Sequence, residues 1–175
     1  KRAYRRSVTL LMQKAAYNLW GKQGKVRVHH SLGHGVFCNL EEMEDNKVNL
    51  LLLKEEMLRL VERDISIQKE NVSRDYAIQM FSDFGLYDKV GMLQYRRSSR
   101  VNLYSLDGFV DYHFGFMAPS TGFLKWFDLE LYEDGFVLLF PANNGNVIEP
   151  FTTSEKLFRT LQESKQWSKM LGVGT

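Results

Sequence analysis

From Arg100 to Pro141 the chain repeats one pattern, in which short alternating segments, RVNLYSL, FVDYHFGF, GFLKWFDLELY and GFVLLFP, are cut at Asp107-Gly108, Ser120-Thr121-Gly122 and Asp134-Gly135. Side chains of a strand alternate between its faces, so hydrophobicity with a period of two predicts half-buried strands. Asp-Gly pairs adopt the positive φ that tight hairpins need, and strands joined by so few residues run antiparallel. This stretch is therefore read as an antiparallel sheet rather than as strand–helix–strand units.

The first half has a different period. Val8, Leu11, Met12, Ala15 and Leu19 recur at helical spacing, which predicts a helix over 3–20 that Gly21 and Gly24 end. Leu50, Leu53, Met57, Leu60 and Val61 predict a second over 47–63, and ISIQKENV reads as a strand. Ser73 caps a third helix that turns Ala77, Met80, Phe81 and Phe84 inward and stops at Gly85. A short helix covers YDKVGMLQY, and Thr152 with Glu155 forms a capping box for a final helix bearing Leu157, Phe158, Leu161 and Trp167. Helices early and strands late define an α+β fold with a largely antiparallel sheet and packed helices.

At 175 residues the chain is long enough to build its core without disulfides or metal. A formal charge of +2 gives no chain-wide attraction to nucleic acid or membrane. Two local basic groups stand out, KRAYRR with Arg6 at its end and the ladder Arg96, Arg97, Arg100; each is either a solvated surface or a phosphate contact. One cysteine allows no internal disulfide and fits a reducing compartment, so a cytoplasmic location is expected. The longest apolar run, Val48 to Leu53, is broken by Asn49, so no segment spans a membrane, and no secretory signal is present. Opening on Lys1 and ending on Gly172-Val173-Gly174-Thr175, the chain reads as an excised piece of a longer protein.

VHHSLGHGVFC, residues 28–38, holds three of the four histidines and the sole cysteine. On a helix, His30 and His34 would share a face for zinc, but Gly33, Gly35, Val26 and Val28 favour a hairpin. With Gly33-His34-Gly35 as the loop, Leu32 pairs with Val36, His30 faces Cys38 on the apolar side, and His34 marks the exposed tip. Two ligands are too few for zinc, so no metal is expected and His30 is read as a partly buried, hydrogen-bonded side chain. Cys38, mid-strand, has no neighbour in sequence to activate it. GKQGKVR lacks the spacing and hydroxyl of a GxxxxGK[ST] phosphate loop, and neither a GxSxG elbow nor a CxxC pair occurs.

The helix ending in NLW, the HSL-turn-G-aromatic-C hairpin, YDKVGML and VDYHFGFMAPSTGFLKWFDL resemble the second additional domain of threonyl-tRNA synthetase. That domain is shared with alanyl-tRNA synthetase and hydrolyses mischarged tRNA. YRRSVTLLMQKA, VHHSLGHGVFC, YSLDGFVDYHFGFMAPSTGFLKWFDL, DGFVLLFP and LQESKQWSKMLGV are similar to the variant that precedes the P-loop kinase domain of bacterial uridine kinase-like proteins. The resemblance covers nearly the whole chain, and PSTGFLKWFDL is its most specific part. It implies an editing-like domain over 1–150, then a helix over 151–175 leading toward a kinase domain that lies outside this chain.

Carried over residue by residue, the resemblance implies a degraded editing site. The family's HxxxH falls on Arg6-Ser7-Val8-Thr9-Leu10, and its later cysteine and histidine fall on His113 and Met117. Lys89 matches the family's lysine, Asp111 its aspartate, and Cys38 a tyrosine at the pocket edge. The candidate pocket residues are thus Lys89, Asp111, His113, His30, Cys38 and Arg6, with no catalytic residue among them. Lys89 and Asp111 equally suit a plain ion pair. The implied function is a non-catalytic accessory domain of a nucleoside kinase, whose pocket takes a nucleoside, a nucleotide or an RNA end such as that of tRNA, or nothing. Other readings are a deacylase rebuilt around His113 or His30, and a structural module. ATP and Mg are expected only for the kinase domain, and none for this chain.

Overall fold

In a computed structural model, residues 2–112, 115–141, 143–144 and 147–148 are described. The chain runs α1 (Arg2–Trp20), β1 (Val26–Leu32), β2 (Gly35–Leu40), α2 (Lys47–Arg63), β3 (Ile67–Ser73), α3 (Arg74–Asp83) and α4 (Tyr87–Gln94). It continues with β4 (Arg100–Leu106), β5 (Phe109–Tyr112), β6 (Asp128–Tyr132), β7 (Gly135–Leu139), β8 (Asn143–Asn144) and β9 (Val147–Ile148). Every pairing is antiparallel, in sheets ordered β1-β2-β7-β6, β3-β4-β5 and β8-β9, so the fold is α+β as expected. Two compact units emerge, Lys1–Lys25 with Glu55–Lys125 and Val26–Lys54 with Trp126–Thr175.

In the first unit β3, β4 and β5 form a meander. Asp107 and Gly108, at φ 48° and 84°, make the two-residue turn between Leu106 and Phe109. Ala77 and Phe81 of α3 and Leu93 of α4 pack with Val72, Val101, Leu103, Val110 and Tyr112 of the sheet. Ser73 caps α3, its hydroxyl accepting from Tyr76 N at 3.1 Å, and Gly85 closes the helix at φ 74°. On α1, Val8, Leu11, Met12 and Ala15 are wholly buried, as their spacing predicts. The end of α2 is sealed by the segment 119–122. The buried Thr121 hydroxyl donates to Leu60 O at 2.6 Å and accepts from Ile65 N at 2.8 Å, while Asp64 Oδ1 accepts from Ser120 Oγ and Gly122 N.

In the second unit the four-stranded sheet buries Val26, Cys38, Leu40, Leu129, Phe136 and Leu138. Val137 and Leu139 on the neighbouring positions are covered by Leu32, Phe37 and Tyr132. Gly135 has no room for a side chain, since a Cβ there would lie 2.3 Å from Cys38 O.

The hairpin of residues 26–40 differs from its sequence reading. Leu32 pairs with Gly35, which leaves a two-residue loop, Gly33-His34, with Gly33 at φ 62°. Val28 pairs with Cys38 and Ser31 with Val36, so two residues, His29 and His30, oppose the single Phe37. This bulge breaks strict alternation. His30 therefore does not face Cys38, and it is exposed rather than partly buried. Two further boundaries shift. GFLKWF is not strand, because Thr121–Phe123 forms a 3-10 turn and β6 starts at Asp128. Tyr132 pairs with Gly135, so the β6–β7 hairpin turns on Glu133-Asp134. His113, Phe114 and the expected helix over 151–175 lie outside the described residues.

Candidate functional site

In the first unit, the positions matched to the editing pocket are already occupied by internal contacts. Asp111, on the edge strand β5 opposite Tyr104 of β4, is 1% exposed and lies 3.3 Å from Lys89 Nζ on α4. The same carboxylate oxygen accepts from Tyr112 N at 2.7 Å. Lys89 reaches it from the first turns of α4, which Leu86 starts by accepting from Lys89 N at 3.0 Å. The ion pair that the sequence left as one option is therefore present.

Arg6 and Ser7 of α1 hold the segment after β5. Arg6 Nε and Nη2 donate to Phe116 O at 3.1 and 2.7 Å, and its guanidinium lies against Gly115, where a Cβ would meet Nη2 at 2.9 Å. Gly115, at φ 81°, permits that approach. Ser7 Oγ accepts from Ala118 N at 2.7 Å and donates to Ala3 O at 2.6 Å, with Met117 Sδ at 3.9 Å. Tyr104 donates its hydroxyl to Gly115 O at 2.5 Å. Leu10, four residues beyond Arg6, is fully buried.

Arg6 and Ser7 of α1 thus bond to the segment 116–118, Ser7 reaching Met117, and Leu10 one turn further on is apolar and buried. Water activation needs a group that can take a proton. A guanidinium only donates hydrogen bonds, and leucine and the methionine thioether offer no base. Lys89, Asp111 and Arg6 all belong to this unit. Ser7, Tyr104 and Gly115 were not anticipated; a serine bonded to the carbonyl four residues back carries no sequence signal beyond helix placement.

His30 and Cys38 belong to the second unit. Cys38 is wholly buried, and burial pushes its thiol up to about 12, with a backbone hydrogen bond from Leu138 working the other way. Its Sγ lies 3.6 Å from Val36 O. A buried protonated thiol is a packing group, not a nucleophile. The rings of His29 and His30 each lie 5.5 Å from that of Phe37, and His29 Nε2 is hydrogen-bonded to Asn39 Oδ1. His34 sits exposed at the loop, its carbonyl accepting from Phe140 N at 2.9 Å. Among the described residues no three His, Cys, Asp or Glu side chains converge as metal ligands, and no helix is long and apolar enough to cross a membrane.

The α+β fold fits the sequence similarity of this chain to part of the threonine–tRNA ligases. No family model matches the chain. The threonine–tRNA ligase of Syntrophotalea carbinolica is 30% identical over 128 residues, covering 72% of this chain and 20% of the ligase. That of Carboxydothermus hydrogenoformans is 30% identical over 131 residues, 74% of this chain and 20% of the ligase. The large ribosomal subunit protein mL39 of Drosophila melanogaster is 24% identical over 133 residues, 70% of this chain and 40% of mL39. The chain spans about a fifth of the length of the ligases it matches.

Proposed function

We propose that this chain is an accessory domain of the tRNA-editing type, belonging to a uridine kinase-like protein, and that it does not hydrolyse aminoacyl-tRNA itself. The observation that carries the reading is the fate of the HxxxH positions: Arg6 is bound to Phe116 O and Leu10 is fully buried. Neither side chain can activate water, and the Lys89–Asp111 pair is an internal brace. The similarity to mL39 supports a role without ligase chemistry, because a region of this kind also occurs in a chain named as a ribosomal protein.

The kinase assignment rests on the resemblance of YRRSVTLLMQKA, the hairpin and YSLDGFVDYHFGF to the uridine kinase-like variant. In that setting ATP, Mg and the nucleoside belong to a kinase domain in the same polypeptide, working in the cytoplasm. The accessory domain positions that kinase domain or offers its editing-like face to a nucleotide.

Two assays test the proposal. The purified chain is mixed with Ala-tRNA, Ser-tRNA and Thr-tRNA, and deacylation is followed against buffer; the expected rate equals the buffer rate. Deacylation that disappears in His113→Ala would refute the non-hydrolytic reading. The full-length protein is assayed for uridine-dependent ADP formation, and its absence with every nucleoside tried overturns the kinase assignment.

A further inference from the structure

The first two turns of α2 include Val48-Asn49-Leu50-Leu51-Leu52-Leu53, apolar on both faces of the helix. Leu50 and Leu53 are buried, whereas Val48, Leu51 and Leu52 are 66%, 58% and 37% exposed. Spacings of three and four residues set those three side chains on one stripe, turned away from the core. Asn49 fixes the start of the helix, its N donating to Asn46 Oδ1 and its Nδ2 to Glu44 O, both at 2.8 Å. Helices that are apolar all round are buried all round in folded proteins, so this stripe asks for a covering element.

The path of the chain indicates the cover. Lys54, three residues past Leu51, pairs with Asp128 at 2.7 Å, and Asp128 lies opposite Leu139, the last residue of β7. The chain thus leaves its sheet beside α2. β8 and β9 double back, with Asn143 opposite Ile148, so Ile148 returns close to that exit. The connection from Ile148 to Leu157 spans about 30 Å when extended, longer than the two helical turns to be covered. Leu157, Phe158 and Leu161, which lie outside the described residues, share one stripe of the helix expected over 151–175.

We propose that segment 151–171 docks on Val48, Leu51 and Leu52 as a helix antiparallel to α2. Starting from the Lys54 end, Leu157 and Phe158 cover Leu51 and Leu52, and Leu161 covers Val48. The charges agree with this direction. Beyond Leu161 come Lys165 and Lys169 with one acid, Glu163, and they approach the exposed Glu42 and Glu44 that precede α2, against the exposed Lys47. A parallel helix would carry both lysines away from those acids. The contact needs neither the pocket residues Lys89 and Asp111 nor a kinase domain, so it stands or falls apart from the accessory-domain reading.

The test is a disulfide trap in the full chain. Its sole natural cysteine, Cys38, is buried with its thiol held protonated, so only introduced thiols react with diamide. Leu51→Cys/Leu157→Cys, oxidised in dilute solution, should run on a non-reducing gel as an internally bridged monomer. Leu51→Cys/Lys169→Cys should not, because Lys169 lies about 18 Å further along the helix. Limited trypsin digestion reads the same contact without cysteines. Cleavage after Lys156, Arg159, Lys165 and Lys169 should be about tenfold faster in Leu51→Asp than in wild type. That change leaves the core side of α2, Leu50, Leu53 and Met57, untouched, and unaltered cleavage elsewhere in the chain reports an intact fold. Equal cleavage in the two proteins, or no internal bridge, overturns the proposal. So does bridging only between two chains, which would assign the stripe to a second copy.

Discussion

Lys89→Met separates a structural brace from a side chain waiting for a ligand. Lys89 Nζ lies 3.3 Å from Asp111 Oδ1, and the lysine side chain is 24% exposed while the aspartate is 1% exposed. At that separation an effective dielectric of about 20 gives an attraction of about 5 kcal/mol, part of which the partly exposed lysine loses to screening. Removing one partner of a buried pair costs about 3–5 kcal/mol, because the remaining charge keeps its desolvation penalty. Tyr112 N still donates to Asp111, and the lysine end is open to water, so the expected loss sits near the lower limit, about 2–3 kcal/mol. Asp111→Asn removes the charge itself and leaves Lys89 free to solvate, costing about 1–2 kcal/mol. The double variant should then lose less than the sum of the single changes, by about 1–2 kcal/mol. Urea unfolding measures all three, with the midpoint shifting at constant m. Lys89→Met within about 0.5 kcal/mol of wild type, or strict additivity in the double variant, would refute the brace and return Lys89 to the list of ligand-binding groups.

Three further changes probe other parts of the molecule. With its thiol pushed up to about 12 from 9.0, native Cys38 keeps a proton that the unfolded chain releases, so stability should fall between pH 9 and pH 12, by up to about 1.4 kcal/mol per unit. Cys38→Ala should flatten that fall in urea titrations, and an unchanged slope sinks the assignment. Lys14 is 7% exposed, and burial lowers its pKa from 10.5 against a partly opposing pull from Asp107. The unfolded state then binds more protons between the folded value and 10.5, so this group's contribution rises with pH across that window and is lost as pH falls through the folded value. Lys14→Met should abolish the rise and stabilise the chain at neutral pH; destabilisation there would show that the ammonium is fully compensated. Ser73→Ala removes the hydroxyl that accepts from Tyr76 N and should cost about 1 kcal/mol by the same titration, whereas a change to Asp should be nearly neutral.

What the sequence made legible is what local chemistry decides alone. α1 and α2 match their apolar spacing almost residue for residue, and Ser73 and Gly85 bound α3 as cap and stop should. The hairpin of residues 26–40 was legible as a hairpin but not in register. Loop length fixes register, and Gly33-His34 closes the turn one residue sooner than the two flanking glycines suggest. The bulge then places both His29 and His30 opposite Phe37, an arrangement no alternation rule contains. GFLKWF carries strand-like hydrophobicity, yet Thr121 is drawn into hydrogen bonds with Leu60 and Ile65, and those long-range partners turn the chain before β6.

The same segment explains why the resemblance fixes architecture better than chemistry. PSTGFLKWFDL is its most specific stretch, and in the structure Ser120, Thr121 and Gly122 of that stretch hold the end of α2 through Asp64, Leu60 and Ile65. Gly122 is tied to this role, because a Cβ there would meet Asp64 Oδ1 at 2.3 Å. These residues seal a helix and would be needed whether or not the neighbouring pocket hydrolyses anything. The positions that would report on hydrolysis are Arg6, Leu10 and Met117, and two of those three side chains are apolar while the third is committed to Phe116 O. A fold can thus be read from its seals while the residues at the positions matched to the reaction differ from the family's. Lys89 and Asp111 show the intermediate case: residues that the resemblance matches to the family's lysine and aspartate are engaged with one another as an ion pair.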